Sequence, residues 1–293
     1  MRALIATGTK GKCTDDKDRQ QMGFRLHSTR KYEPVRFNPL PLAPYLSLMR
    51  WMFHIGRYVR LLARSFRRPE KLNVFRGLVM TELESIGLQS VGIVALLSVF
   101  MGAVICLQTA HQIGGWIPVY TIGFTVRQTM ILEFSPTLIP VILAGKVGSN
   151  IASQIGTMRV TEQIDALEIM GVNSANYLIL PKIIAGVFIV PFLVVFSMAL
   201  GVGAGAWIGV ATGLSPLADF EYGMQVDFRV FDVIYALIKT LVFGFVLTSV
   251  SAYHGYFAEG GALEVGKSST KAVVWSVVII MISNLALTQM LLN

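Results

Sequence analysis

The chain has 293 residues, of which 54% are hydrophobic and only 14% charged; a soluble globular chain is nearer a quarter charged, so the composition points to a membrane. The net charge of +8 is unevenly placed: residues 1–80 hold 17 Lys/Arg against 5 Asp/Glu, a net of +12, and the remainder hold 8 against 12, a net of −4. A basic segment ahead of an apolar body suits a cytoplasmic, lipid-facing N-terminus more than a nucleic-acid binder, and two cysteines, Cys13 and Cys106, offer no disulfide framework or metal-ligand spacing.

Residues 1–44 are polar, with Pro34, Pro39, Pro41 and Pro44 towards their end. They lack the apolar core of a secretory signal and are expected to be a disordered extension. Met22 and Met49 are alternative starts, and Asp15, Asp16, Asp18 and Glu33 argue against a transit peptide. From about 45 to 68, Leu48, Met52, Ile55, Val59, Leu62 and Phe66 recur at helical spacing, while Arg50, Arg57, Arg60, Arg64 and Arg67 share another face. An apolar stripe beside an arginine stripe predicts a helix lying in the membrane interface; a basic helix packed on a soluble partner is the competing reading.

No Asp, Glu, Lys or Arg occurs from Leu88 to Val126. That run exceeds one span of roughly 20 residues, and the "GGWIP" at 114–118 divides it. Five spans are predicted, over about 88–112, 120–150, 178–213, 230–257 and 271–292. An N-terminus inside puts Lys146, Arg159 and Lys182 at one inner loop and Lys267 and Lys271 at the next. The outer loop near 214–228 carries Asp219, Glu221 and Asp227 and no Lys or Arg, as the positive-inside rule requires.

"GALEVGKSST" at 261–270 matches the phosphate-loop spacing through Gly261, Gly266, Lys267 and Ser268. A working phosphate loop needs a strand before it and a helix after it in a nucleotide-binding fold. Here an apolar helix precedes and a span follows, so ATP hydrolysis by this loop is not expected. "GVGAGAWIG" lies wholly within a span and is no dinucleotide fingerprint. Nor does any Ser/His/Asp or Cys/His set suggest covalent catalysis, and His54, His111 and His254 are scattered and read as structural.

Gly201, Gly205, Gly209 and Gly213 recur every four residues in the third span, and Gly148, Ala152 and Gly156 repeat the pattern in the second. Such ridges admit a close neighbouring helix, either within one subunit or across a homodimer seam. Between the spans, "GTMRVTEQIDALEIMGVN" (156–173) places Val160, Ile164, Leu167 and Gly171 on one helical face. Glu162, Asp165 and Glu168 lie on another, with Thr161 a candidate cap. Periodicity alone favours an ordinary solvated helix. Glu133 and Lys239 interrupt apolar spans; each costs a few kcal/mol in a bilayer unless paired or wetted, so both are expected to face a cavity or one another.

The stretch 133–193, "EFSPTLIPVILAGKVGSNIASQIGTMRVTEQIDALEIMGVNSANYLILPKIIAGVFIVPFL", with "DFRVFDVIYALIKTLVFG" and "HGYFAEGGALEVGKSSTKAVV" later on, closely resembles the Mla-type, MCE-associated ABC transporter permease family. The similarity covers about residues 45–293. It implies an all-α integral membrane protein, a non-catalytic homodimeric permease with an N-terminal interfacial helix and five spans per subunit. Phospholipid is the cargo, in a bacterial inner membrane. Two separate ATPase subunits bind the ATP, leaving this chain without a cofactor or metal, and an MCE-domain protein sits outside. The resemblance makes 159–170 the coupling helix, with Glu162, Gln163, Asp165 and Glu168 as ATPase contacts. It places Ile105, Gln112 and Trp116 on the lipid cavity wall and Glu133 and Lys239 at charged family positions. Leu132 stands where some relatives have arginine, and Ser283 and Asn284 where an acid occurs, so a simpler charge network is expected. An ion-coupled secondary transporter and a membrane scaffold for a soluble partner are the alternatives.

Overall fold

The computed structural model describes residues 43–66, 72–113 and 117–292. Residues 50–293 form one compact unit and residues 1–49 another, of which only 43–49 are described. The expected N-terminal extension therefore lies outside the described residues, apart from the first residues of a helix. All regular structure among the described residues is helical: α1 (Ala43–Ser65), α2 (Leu72–Gln112), α3 (Tyr120–Thr129), α4 (Ile139–Leu143), α5 (Ser149–Val160), α6 (Gln163–Ile169), α7 (Ser174–Ala211), α8 (Leu217–Gln225), α9 (Val230–Tyr256) and α10 (Ala262–Leu292). Two π-helical segments, Met130–Leu138 and Ala144–Gly148, join α3, α4 and α5 into one continuous rod.

Five of these helical stretches are long and apolar enough to cross a membrane: Asn73–Gln112, Tyr120–Val160, Ser174–Ala211, Val230–Tyr256 and Ala262–Leu291. The chain is an all-α, multi-pass integral membrane protein. The first, second and fifth helices outrun the spans predicted for them, because a membrane helix continues past the hydrocarbon into the interface where charge is tolerated. The third starts and ends a few residues early, and the fourth stops one residue short of its predicted bound. Alternating directions gather the 160–174 and 256–262 turns at one end and the 211–230 turn at the other.

The second span changes from α to π hydrogen bonding at two segments. Pro136 has no N–H to donate and sits inside the first π segment, where a widened turn accommodates the missing hydrogen bond. That segment carries Glu133, and the second carries Lys146.

Small residues hold the spans together. Gly201, Gly205 and Gly209 face α2 and α3: a Cβ on Gly201 would lie 2.0 Å from Met130 Cε, one on Gly205 2.9 Å from Val126 Cγ1, and one on Gly209 3.3 Å from Cys106 Sγ. The ridge therefore packs inside one subunit, which settles the two readings left open above for those three positions. Gly213 does a different job. It follows the end of α7 with φ of +69°, and a Cβ there would meet nothing within 4 Å, so it terminates the helix instead of packing against another. The α5 pattern also packs internally, since Gly148 abuts Ser251 and Gly255 abuts the Ala152 carbonyl, with Ser251 and Gly255 both on α9.

Hydroxyls add polar ties in the same region. Ser98 Oγ donates to Ser197 Oγ at 2.7 Å, and Ser197 Oγ to Ser135 Oγ at 3.2 Å, linking α2, α7 and the first π segment. The apolar core runs between them through Leu143, Ile155, Val190, Leu193, Phe243, Leu247 and Ile280, each fully buried.

One element has no counterpart in the predicted set. Helix α8 lies across α3, where a Cβ on Gly223 would fall 2.0 Å from the Tyr120 carbonyl and one on Gly123 2.4 Å from that of Phe220. Arg127 clamps its C-terminal end: Nη1 donates to the Met224 carbonyl at 2.6 Å and Nη2 to that of Asp227 at 3.4 Å. A guanidinium on the last carbonyls of a helix satisfies acceptors that have no internal partner.

Candidate functional site

The segment 156–173 is two helices, not one. Glu162 adopts φ of +59° and breaks α5 from α6, a left-handed conformation uncommon outside glycine, asparagine and aspartate. Thr161 does not cap α6; its hydroxyl donates back to the Thr157 carbonyl at 2.8 Å. This is the alternative that threonine commonly takes near a helix end. The predicted apolar face is present, with Ile164 fully buried and Leu167 packed against the core.

The four expected ATPase contacts divide into two pairs. Glu162 and Gln163 are exposed. Asp165 accepts from Arg159 Nη1 at 2.5 Å. Glu168 Oε1 accepts from Ser174 Oγ at 2.9 Å and Tyr256 OH at 3.2 Å, with Arg64 Nη1 at 3.6 Å. Asp165 and Glu168 thus tie α6 to α5, α7, α9 and α1. Two apolar side chains are open beside them: Ile169 is 87% exposed and Met170 68%. Sequence reasoning passed over them, although an Ile-Met pair off the 160/164/167 stripe and before a glycine is a legible signal.

Helix α1 docks onto the same end. His54 Nδ1 lies 2.9 Å from Tyr253 OH, Tyr58 OH 2.7 Å from Ser249 Oγ, and Asn173 Nδ2 donates to the Arg64 carbonyl at 3.0 Å. Burial pushes the Tyr58 hydroxyl above its ordinary pKa, with Ser249 partly opposing, so the bond stays neutral through physiological pH. The face turned away carries Met52, Ile55, Val59 and Phe66, each at least half exposed. These are four of the six residues of the expected apolar stripe; Leu62 packs instead against the core, and the Leu48 side chain lies outside the described residues.

Within the spans, Lys239 Nζ pairs with Glu133 Oε2 at 3.2 Å, as the charge placement led one to expect. Lys239 is fully buried and also lies 3.4 Å from the Leu132 carbonyl and 4.8 Å from the Tyr235 ring. The Glu133 side chain is 51% exposed and accepts from Asn284 Nδ2 at 2.8 Å and Thr137 Oγ1 at 3.1 Å. The network is hence one ion pair completed by neutral donors.

Further charges lie within spans. Arg127 and Lys182 are 4% and 3% exposed, and Lys182 binds the Glu82 carboxylate together with Gln154 Oε1. Lys146 lies exposed on the second span and donates to the Gln89 carbonyl.

The lipid-wall positions fare unevenly. Gln112 is exposed at the end of α2, and Trp116 lies outside the described residues. Ile105 is a correction: it is 7% exposed and packs with Cys106, Ile122, Val126, Met130 and Phe220 in the subunit's own core. At about 100° per residue, one position along the helix moves a side chain off the outer face. The outward stripe of α2 is Leu96, Phe100, Val104 and Leu107.

The stretch that matches the phosphate-loop spacing is helix from Ala262 onward, so 262–265 do not form a loop. Gly266, Lys267 and Ser268 are already within α10; Lys267 Nζ pairs with Glu264 at 2.5 Å and Ser268 Oγ donates to the His254 carbonyl at 2.5 Å.

The sequence matches a known family, described as Permease MlaE, over residues 79–290. The chain belongs to the MlaE permease family. It is 37% identical over 224 residues to a probable ABC transporter permease protein of Rickettsia bellii, covering 74% of this chain and 84% of that one. A probable ABC transporter permease protein of Synechocystis is 34% identical over 212 residues, covering 72% and 81%. An Arabidopsis thaliana chloroplast protein named Trigalactosyldiacylglycerol 1 is 32% identical over 219 residues, covering 72% of this chain and 60% of its own. As an MlaE permease the chain is a membrane transporter subunit.

Proposed function

We propose that this permease is the membrane subunit of an ABC phospholipid transporter in a Gram-negative inner membrane. Two copies would enclose a lipid cavity, with an ATPase subunit on the α6 end and an MCE-domain protein beyond the α8 end. The transporter would maintain outer-membrane lipid asymmetry or move lipid between membranes. Family membership carries this reading, and relatives named as ABC transporter permeases, with one named for a diacylglycerol lipid, support it.

The chain's own residues suit that work. Leu96, Phe100, Val104 and Leu107 present apolar side chains outward from α2, a surface for acyl tails. The half-exposed Glu133 carboxylate, with Lys239 behind it, gives the spans a polar point that requires a partner, water or a headgroup. In the α6 segment, Glu162, Gln163, Ile169 and Met170 face outward as the contact with the ATPase. Asp165 and Glu168 relay its motion into the bundle: displacing α6 pulls on Arg64 of α1 and Tyr256 of α9 through one carboxylate.

Reconstitution in proteoliposomes with the ATPase tests the reading. Lipid transfer should require ATP hydrolysis, and Ile169→Asp with Met170→Ser should cut it at least tenfold. Glu168→Gln should leave ATP hydrolysis high while transfer falls several-fold. Lipid transfer driven by an ion gradient without ATP would establish the ion-coupled reading instead, and assembly with a soluble partner but no transfer the scaffold reading.

A further inference from the structure

A cavity of about 220 Å³ opens where α1, the α5–α6 segment and the end of α9 meet; its walls are Arg57, Arg64, Arg159, Asp165, Glu168, Tyr256, Phe257 and Glu259. Three guanidiniums and three carboxylates line the cavity, and their pairing is incomplete. Arg159 is held by Asp165 and Arg64 by Glu168. Arg57 has no carboxylate within 4.0 Å among the described residues; it rests on the face of Phe257, 3.9 Å from the ring centroid. Stacking fixes the plane of a guanidinium while leaving its N–H groups free to donate.

Two observations define what fits there. The open apolar stripe of α1 (Met52, Ile55, Val59, Phe66) begins beside Arg57 on the same helix. Burying that stripe in the acyl boundary sets the other face of α1 at headgroup depth. In addition, the exposed Glu259 carboxylate on the cavity wall has no ion-pair partner among the described residues. It opposes a bare phosphate dianion and suits a phosphodiester monoanion that carries its own donor.

We propose that this cavity binds the phosphate group of a phospholipid head, with Arg57 as the primary donor and Glu259 receiving the headgroup amine or hydroxyl. Arg64 and Arg159 complete the cradle, and each then divides its N–H groups between the phosphate and its carboxylate on α6. Headgroup occupancy and the position of α6 are therefore linked. The site is separate from the outward α2 stripe, and it stands whether or not the transport reading holds.

Hydrogen–deuterium exchange of the delipidated full-length protein in maltoside micelles tests this, because it reports by location. Dihexanoyl phosphatidylethanolamine is expected to protect amides of 159–172, with no change in 183–198. Sodium phosphate at equal concentration and ionic strength should protect them far less. Arg57→Gln should raise the apparent Kd for the lipid about tenfold, the loss of one charge-assisted pair, and Arg57→Lys less. Glu259→Gln, an exposed position that leaves the fold intact, should shift preference from phosphatidylethanolamine towards phosphatidylglycerol. Equal protection by inorganic phosphate would overturn the lipid assignment in favour of free phosphate. No protection in 159–172, or protection unchanged by both Arg57→Gln and Glu259→Gln, would overturn the site.

Discussion

Glu133→Leu is expected to lower the unfolding free energy by about 3 kcal/mol, the cost of leaving a buried charge without its partner. Lys239 is 0% exposed, and without Glu133 its ammonium retains, among the described residues, the Leu132 carbonyl at 3.4 Å and the Tyr235 ring at 4.8 Å. The reverse change, Lys239→Met, should cost about 1 kcal/mol, because the half-exposed carboxylate keeps Asn284 and Thr137 and remains partly hydrated. The double variant Glu133→Leu/Lys239→Met should recover to within about 1 kcal/mol of the parent, since a matched apolar pair needs no compensation. Denaturant unfolding in detergent micelles measures all three. Equal losses for the two single variants would show that Lys239 has another anion or water at hand, and would remove the case for a poised pair.

The second large effect is steric. Gly102→Ala is expected to destabilise by about 3 kcal/mol or more, or to prevent accumulation in the membrane. An added Cβ would sit 1.9 Å from the Gly201 carbonyl oxygen and 2.9 Å from its Cα. Both obstacles are backbone, so relief requires α2 and α7 to separate along a contact that also holds the Ser98–Ser197 bond. Gly92→Ala and Gly203→Ala are the matched controls, one on each helix, with nothing within 4 Å of the new methyl. They should be neutral or stabilising by up to about 1 kcal/mol, the ordinary helix-propensity gain. Thermal inactivation in detergent, with membrane abundance beside it, separates the cases. A Gly102→Ala protein as stable as its controls would mean that the two helices are further apart than the structure places them.

Much of this molecule is written in local composition. Largely apolar runs mark five spans, and the arginine and apolar stripes of 45–68 mark α1, because solvent preference acts residue by residue and needs no knowledge of the fold. The Glu133–Lys239 partnership followed from the same logic, since two charges in hydrocarbon have few ways to be tolerated. Spacing alone also found the Gly201, Gly205 and Gly209 ridge. It could not say which helix the ridge meets, nor separate those three from Gly213, whose +69° φ depends on where α7 stops.

What escaped is what depends on partners distant in sequence. Arg127 and Lys182 are buried in spans because their acceptors arrive from α8, α2 and α5, about 28 to 100 positions away in the chain. Helix α8 exists as a packed element because Gly123 and Gly223 let two backbones touch. The facing of Ile105 turned on one step of helical phase, which only the neighbouring helices set. Asp165 and Glu168 read as an unpartnered acidic face; they stay partly exposed, but Arg159, Arg64, Ser174 and Tyr256 come to meet them. The sequence by itself determined the class, the spans and the family, through hydropathy and residue spacing that each segment carries alone. The tertiary structure alone decided which charges are paired, which glycines are contacts and which face of α6 is free, because each of those is a property of two segments brought together.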